Sequence, residues 1–110
     1  MTILTSIEGG AGRIDQPGKG ETTIAGYLAA FERGSIDALY DLGVAFSTGS
    51  HGVACDMIEA HKWFNIAASK GHEEAAWCRA DISDEMSVRE ISEAQRRARQ
   101  WLSDGQRKVA

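Results

Sequence analysis

A chain of 110 residues, 43% hydrophobic and 25% charged, has the balance of one small globular domain and sets aside the fibrous and wholly disordered classes. Its net charge of −4 is uneven: residues 1–88 hold six basic and 13 acidic side chains, whereas residues 89–110 hold six basic and three acidic. The acidic majority repels phosphate, so nucleic acid is not an expected partner.

No apolar run approaches the roughly 18 residues of a membrane span, and the start Met1-Thr-Ile-Leu-Thr-Ser-Ile-Glu has no basic region followed by an apolar core. A cytoplasmic protein without a membrane partner is the expectation. Residues 1–21 contain five of the twelve glycines and the single proline, with few aliphatic side chains. That composition cannot repay the entropy of ordering, so the segment reads as a flexible arm preceding a helical domain over 22–110. Within it, Gly12 to Gly20 resembles a phosphate loop only superficially. Five residues rather than four separate Gly12 from Gly18, and Gly20 stands where a magnesium-holding Ser or Thr is needed.

Five helices follow. The first spans about Thr23 to Arg33, with Ile24, Tyr27, Leu28 and Phe31 on one face and Gly34 as a left-handed stop. Ser35 is placed to cap the second, whose buried stripe is Ile36, Leu39, Tyr40, Gly43 and Phe46. Gly43 in mid-helix costs about 1 kcal/mol relative to alanine, which makes sense where two helix axes approach closely. The Trp63/Ala67 side of the third helix is the expected partner. That helix begins at Asp56-Met-Ile-Glu59, a capping-box spacing, and ends at Gly71. Alanines at 60, 67 and 68 leave room for Trp63 and Phe64 to enter between small neighbours. The fourth helix, about Glu73 to Ser83, carries acidic residues in its first turn, and Ser87-Val-Arg-Glu90 opens the fifth with a second capping box. The apolar stripe of the fifth is Val88, Ile91, Ala94, Ala98, Trp101 and Leu102.

Two of these stretches echo one another at a distance of 37 positions: Gly34-Ser-Ile-Asp-Ala-Leu-Tyr and Gly71-His-Glu-Glu-Ala-Ala-Trp place Gly, Ala and a large aromatic in register. Self-similarity at this period marks stacked helical hairpins. The stretch from Ala38 to Gly71 resembles a Sel1-like repeat of the tetratricopeptide superfamily. The resemblance is carried by Leu42-Gly43, the turn Gly49-x-x-Gly52-Val53-x-x-Asp56, the step Ala60-x-x-Trp63-Phe64 and the ending Ala67-Ala68-x-x-Gly71. Met86 to Trp101 is similar to the closing helix of many bacterial Sel1-like proteins. The resemblance implies an all-α fold, a short right-handed α/α superhelix of antiparallel hairpins with about five helices in one and a half to two repeats plus a capping helix. It also implies a role in bacterial signalling or assembly. Some secreted relatives carry a disulfide at the positions of Ala68 and Ala76, so its lack here fits a reducing compartment.

The chemistry-bearing side chains form no strong constellation. His51-x3-Cys55-x5-His61 is the best metal-like cluster, but no C-x2-C pair or H-E-x-x-H is present, and Cys55 and Cys78 read as half-buried fillers with His51, His61 and His72 as surface or capping residues. Glu73, Glu74, Asp81, Asp84 and Glu85 sit in helix starts and polar turns, where carboxylates are solvated. No catalytic residue, metal or cofactor is therefore expected, and the remaining candidate is surface. In tetratricopeptide-like relatives the first helices of successive units line the inner side, where peptides lie. By that resemblance Asp37, Tyr40, Asp41, Trp77 and Arg79 become the partner-binding candidates, with Tyr40 and Trp77 read first as core and second as anchors. The expected function is a non-catalytic interaction module for a protein or peptide. Self-association through an open end of the short array is a further expectation. The alternative is a small enzyme or ligand-binding protein using a cleft near His51, Cys55 and His61.

Overall fold

The computed structural model describes residues 24–109, with side chains to residue 105. The arm expected over 1–21 lies outside the described residues. The described chain forms five helices and, among those residues, no strand: α1 (Ile24–Glu32), α2 (Asp37–Thr48), α3 (Met57–Ser69), α4 (Glu73–Ser83) and α5 (Val88–Val109).

The helix ends follow local chemistry. Gly34 and Gly71 adopt φ of 106° and 99°, and each is followed by an amide that reaches back to close the preceding helix: Ser35 N–H to the Ala30 carbonyl at 3.0 Å, His72 N–H to the Ala67 carbonyl at 3.1 Å. The two glycines that are 37 positions apart thus make the same turn. Ser87 and Glu90 form a reciprocal capping box, the Glu90 amide donating to Ser87 Oγ at 3.1 Å and the Ser87 amide to Glu90 Oε1 at 2.8 Å. Asp56 caps α3 by accepting from the Glu59 amide at 3.1 Å. The return half of that box is missing, because the Asp56 amide donates to the Phe46 carbonyl at 2.8 Å and leaves the Glu59 carboxylate free for other partners.

Ser35 does not cap α2. The helix enters through Ile36, already in right-handed helical geometry, with no side-chain cap, and the Leu39 amide donates to the Ile36 carbonyl at 3.0 Å. The buried arc of α2 is also wider than the expected stripe. Ala38, Leu39, Leu42, Gly43 and Ala45 are buried while Tyr40 and Phe46 are only partly covered, since α2 packs against both α1 and α3 and touches α4. Val88, expected on the apolar stripe of α5, is 82% exposed; the burial of that helix centres on Ala94 and Ala98.

Helix α3 is the centre of the molecule, packed on by α2, α4 and α5. The largest fully buried side chains, Phe64, Leu39, Leu42 and Ile66, all lie on α2 and α3. Full burial of such side chains contributes about 1.5–3 kcal/mol each, so this hairpin carries most of the hydrophobic stabilisation. Aromatic rings extend it to both termini of the described chain. Trp63 meets Trp101 of α5 edge to face at 5.4 Å, and Trp101 meets Phe31 of α1 at 5.6 Å. Ion pairs reinforce the α3–α5 contact: Arg97 donates to Glu59 Oε2 and to Glu93 Oε2, each at 2.7 Å, while Lys62 lies 3.2 Å from Glu59 Oε1.

Candidate functional site

Asp37, Tyr40 and Asp41 are spaced i, i+3, i+4 along α2 and so share one face. His72 joins them from the start of α4. Its Nδ1 accepts the Ala75 amide at 3.1 Å, the N-cap bond of that helix, which leaves the ring hydrogen on Nε2, 3.0 Å from Asp37 Oδ1. The imidazole stacks on the Tyr40 ring with centroids 4.7 Å apart and planes within 8°. Tyr40 in turn leans on Phe64 at 5.7 Å, and its Oη lies 4.0 Å from Cys78 Sγ. Burial pushes the Tyr40 phenol up, helped by the Cys78 contact and by the charges of Glu74 and Asp41.

Asp41 is half-buried. Burial, then the neighbouring Asp37 charge, raises its carboxyl above the ordinary value, with His51 and His72 opposing. His51 borders the far side: it is exposed, has a φ of 59°, approaches Ser50 Oγ at 2.9 Å through Nδ1, and sets its ring edge-on to Tyr27 at 5.7 Å. Burial, then the Asp41 charge, raises the Tyr27 phenol. The face of α2 therefore presents two carboxylates and a half-buried tyrosine, flanked by His51 and His72.

Helix α4 adds an exposed indole. Trp77, read from sequence first as core, is 67% exposed, because α4 packs on α3 chiefly through Ala75, with Cys78 and Ile82 partly covered beside it. Arg79 does not share that outward face; its Nη1 donates to Asn65 Oδ1 on α3 at 2.7 Å. Three of the five partner candidates, Asp37, Tyr40 and Asp41, thus lie on α2 beside His72, Trp77 is exposed on α4, and Arg79 is engaged in holding the two helices α3 and α4 together. His72 is the residue that sequence reasoning placed only as a generic cap; its position directly after Gly71 was the available signal.

The His51, Cys55 and His61 cluster is not assembled. Cys55 is exposed rather than half-buried, with Sγ 3.5 Å from the Ser47 carbonyl. His61, expected at the surface, is 2% exposed, since it projects from the inner side of α3 to the end of α4. Ser83 Oγ donates to the Arg79 carbonyl at 2.7 Å and so must accept from His61 Nε2–H at 3.1 Å. Burial, then the Arg79 charge, lowers His61 below the ordinary imidazole value. Its Nδ1 has no partner among the described residues. No group of three or more His, Cys, Asp or Glu side chains among the described residues is disposed to hold a metal ion.

An open cleft of about 220 Å³ lies between α3 and α5, lined by Lys62, Arg96, Arg97, Gln100, Trp101 and Asp104. Its cations are already matched: Lys62 and Arg97 by Glu59, Arg96 and Arg97 by Glu93, whose carboxyl they hold down at about 2. The cleft is thus an ion-pair seam with no net surplus of positive charge for an anion. No helix among the described residues is long and apolar enough to cross a membrane.

Comparison with protein-family models, with curated proteins and with solved structures returns no match to this chain.

Proposed function

We propose that this protein is a non-catalytic interaction module that presents the joint face of α2 and α4 to a protein or peptide partner. The observation that carries the reading is Trp77, a large ring left 67% exposed in a small domain that buries its other two tryptophans partly or fully. Exposed indoles beside polar groups are the residue type around which binding energy concentrates. The close packing of α2 on α3, with α1 against α2, supports one complete Sel1-like hairpin and the remnant of a preceding unit; α4 and α5 both pack on α3 rather than on each other, so the second unit is incomplete. In that reading α2 and α4 are the first helices of successive units and lie side by side. A role in bacterial signalling or assembly belongs to the same proposal.

The test is affinity capture from source-cell lysate with the full chain, run in parallel with Trp77→Ala and Asp37→Asn/Asp41→Asn, each confirmed folded by circular dichroism. The reading expects one protein recovered stoichiometrically by the parent and lost from both variants. Equal recovery by all three overturns it, as does turnover by the isolated protein that is abolished by changing one polar residue.

A further inference from the structure

The charge around Trp77 says what kind of partner the face accepts, an inference that rests on the interaction-module reading. Glu73, Glu74 and Asp81 stand at i−4, i−3 and i+4 from Trp77, the positions whose side chains neighbour it on a helix, and all three are exposed. Cys78 of α4 lies 4.0 Å from the Tyr40 hydroxyl and His72, at the start of α4, 3.0 Å from Asp37, so the start of α4 adjoins the Asp37/Tyr40 face of α2. No ion pair ties Glu73, Glu74 or Asp81 to a cation among the described residues. The cations that could have served are directed elsewhere: Arg79 to Asn65, Lys62 and Arg97 to Glu59, Arg96 to Glu93, and Lys70 over the Phe31 ring. Three carboxylates thus neighbour the exposed indole on α4, and two more flank the half-buried phenol on the adjoining helix α2.

Like charges at this spacing oppose folding, and a cation laid among them relieves that repulsion. An indole face adds its own attraction for ammonium and guanidinium groups. From Glu73 to Asp81 the helix rises about 12 Å, the length of about four extended residues. We infer that the α2/α4 face docks a short basic segment of a partner protein, with a Lys or Arg over Trp77 and neighbouring cations among Asp37, Asp41, Glu74 and Asp81.

The experiment is a titration of the full chain with a fluorescein-labelled peptide of four lysines interleaved with leucines, beside its glutamate counterpart, at low and at physiological salt. The lysine peptide binds and the glutamate peptide does not; raising the salt weakens binding. Trp77→Ala and Glu74→Gln/Asp81→Asn each weaken it at least tenfold, while the off-face control Glu32→Gln leaves it unchanged. Because these side chains are exposed, the variants keep the parent's circular dichroism. Equal binding of the two peptides, or unaltered binding by Trp77→Ala, overturns the inference. Concentration-dependent self-association that Trp77→Ala abolishes also overturns it, the occupant then being a second copy of the chain. If lysate capture depends on Trp77 but the lysine peptide fails to bind, only the basic chemistry is rejected; if capture is indifferent to Trp77, the interaction reading itself falls.

Discussion

Gly43 of α2 and Phe64 of α3 are in a contact that only glycine permits: a Cβ on Gly43 would lie 2.5 Å from two carbons of the Phe64 ring. The ring is 1% exposed and has no room to withdraw. The partner expected for Gly43 was the Trp63/Ala67 side of α3; it is the adjacent Phe64, while Trp63 turns to Trp101. Gly43→Ala therefore sets a helix-propensity gain of about 1 kcal/mol against an overpacking cost of about 1–3 kcal/mol. Net destabilisation is the expected result in urea or thermal unfolding. Phe64→Leu should make the alanine substitution less costly than it is in the parent, a coupling that a double-mutant cycle reads directly.

Trp63 is 4% exposed and joins α3 to α5 through Trp101. Trp63→Ala should cost about 3–5 kcal/mol, a large part of the stability of so small a domain. Trp77→Ala, by contrast, should leave the midpoint of chemical unfolding within about 0.5 kcal/mol of the parent, as is usual for surface positions. If the two variants unfold alike, the assignment of one indole to the core and the other to the surface is wrong.

His61 gives a pH dependence with a definite sign. Its folded pKa is lowered from 6.5 by burial and by Arg79, so as pH falls the unfolded chain takes up the proton first. The stability this residue contributes is full above about pH 6.5 and declines as pH drops toward the folded value. Thermal midpoints measured between about pH 5 and pH 8 should fall on the acid side in the parent, and the fall should be smaller in His61→Phe. Ser83 keeps its bond to the Arg79 carbonyl in that variant, so the comparison removes the titrating group and not the helix-end hydroxyl contact.

The Glu59–Arg97 pair is partly solvated, the two side chains being 19% and 36% exposed. Arg97→Met should therefore destabilise by only about 1 kcal/mol or less, and the difference should shrink in high salt. A loss of several kcal/mol would mean that the seam between α3 and α5 is drier than its exposure indicates.

What could be read from the sequence was local. Gly34, Gly71, Asp56 and the Ser87/Glu90 box act within a few residues of themselves, and each ends or starts its helix as its chemistry requires. Trp63 and Phe64 between alanines announced a packed face. The expectations that failed depended on distant partners. His61 is buried because Ser83, 22 positions away, accepts its ring hydrogen. Glu59 has the spacing of a capping box, yet Arg97, 38 positions away, and the Phe46 carbonyl compete for the two halves of it. Trp77 matches Tyr40 in the internal register, but Tyr40 is covered by His72 and Phe64 while Trp77 is left open. A single sequence records the ring and not what lies against it. The same limit applies to the candidate site: its carboxylates were visible, and the exposure of the indole among those of α4 was not.

The most direct measurement is the indole N–H spectrum of the full chain by ¹H–¹⁵N NMR, with Trp77 assigned by Trp77→Phe, during titration with the lysine–leucine peptide. The account predicts that the Trp77 signal and the backbone amides of α2 and α4 shift together and saturate, while the Trp63 signal stays in place. A Trp77 signal that does not move while the amides of α5 do would contradict it.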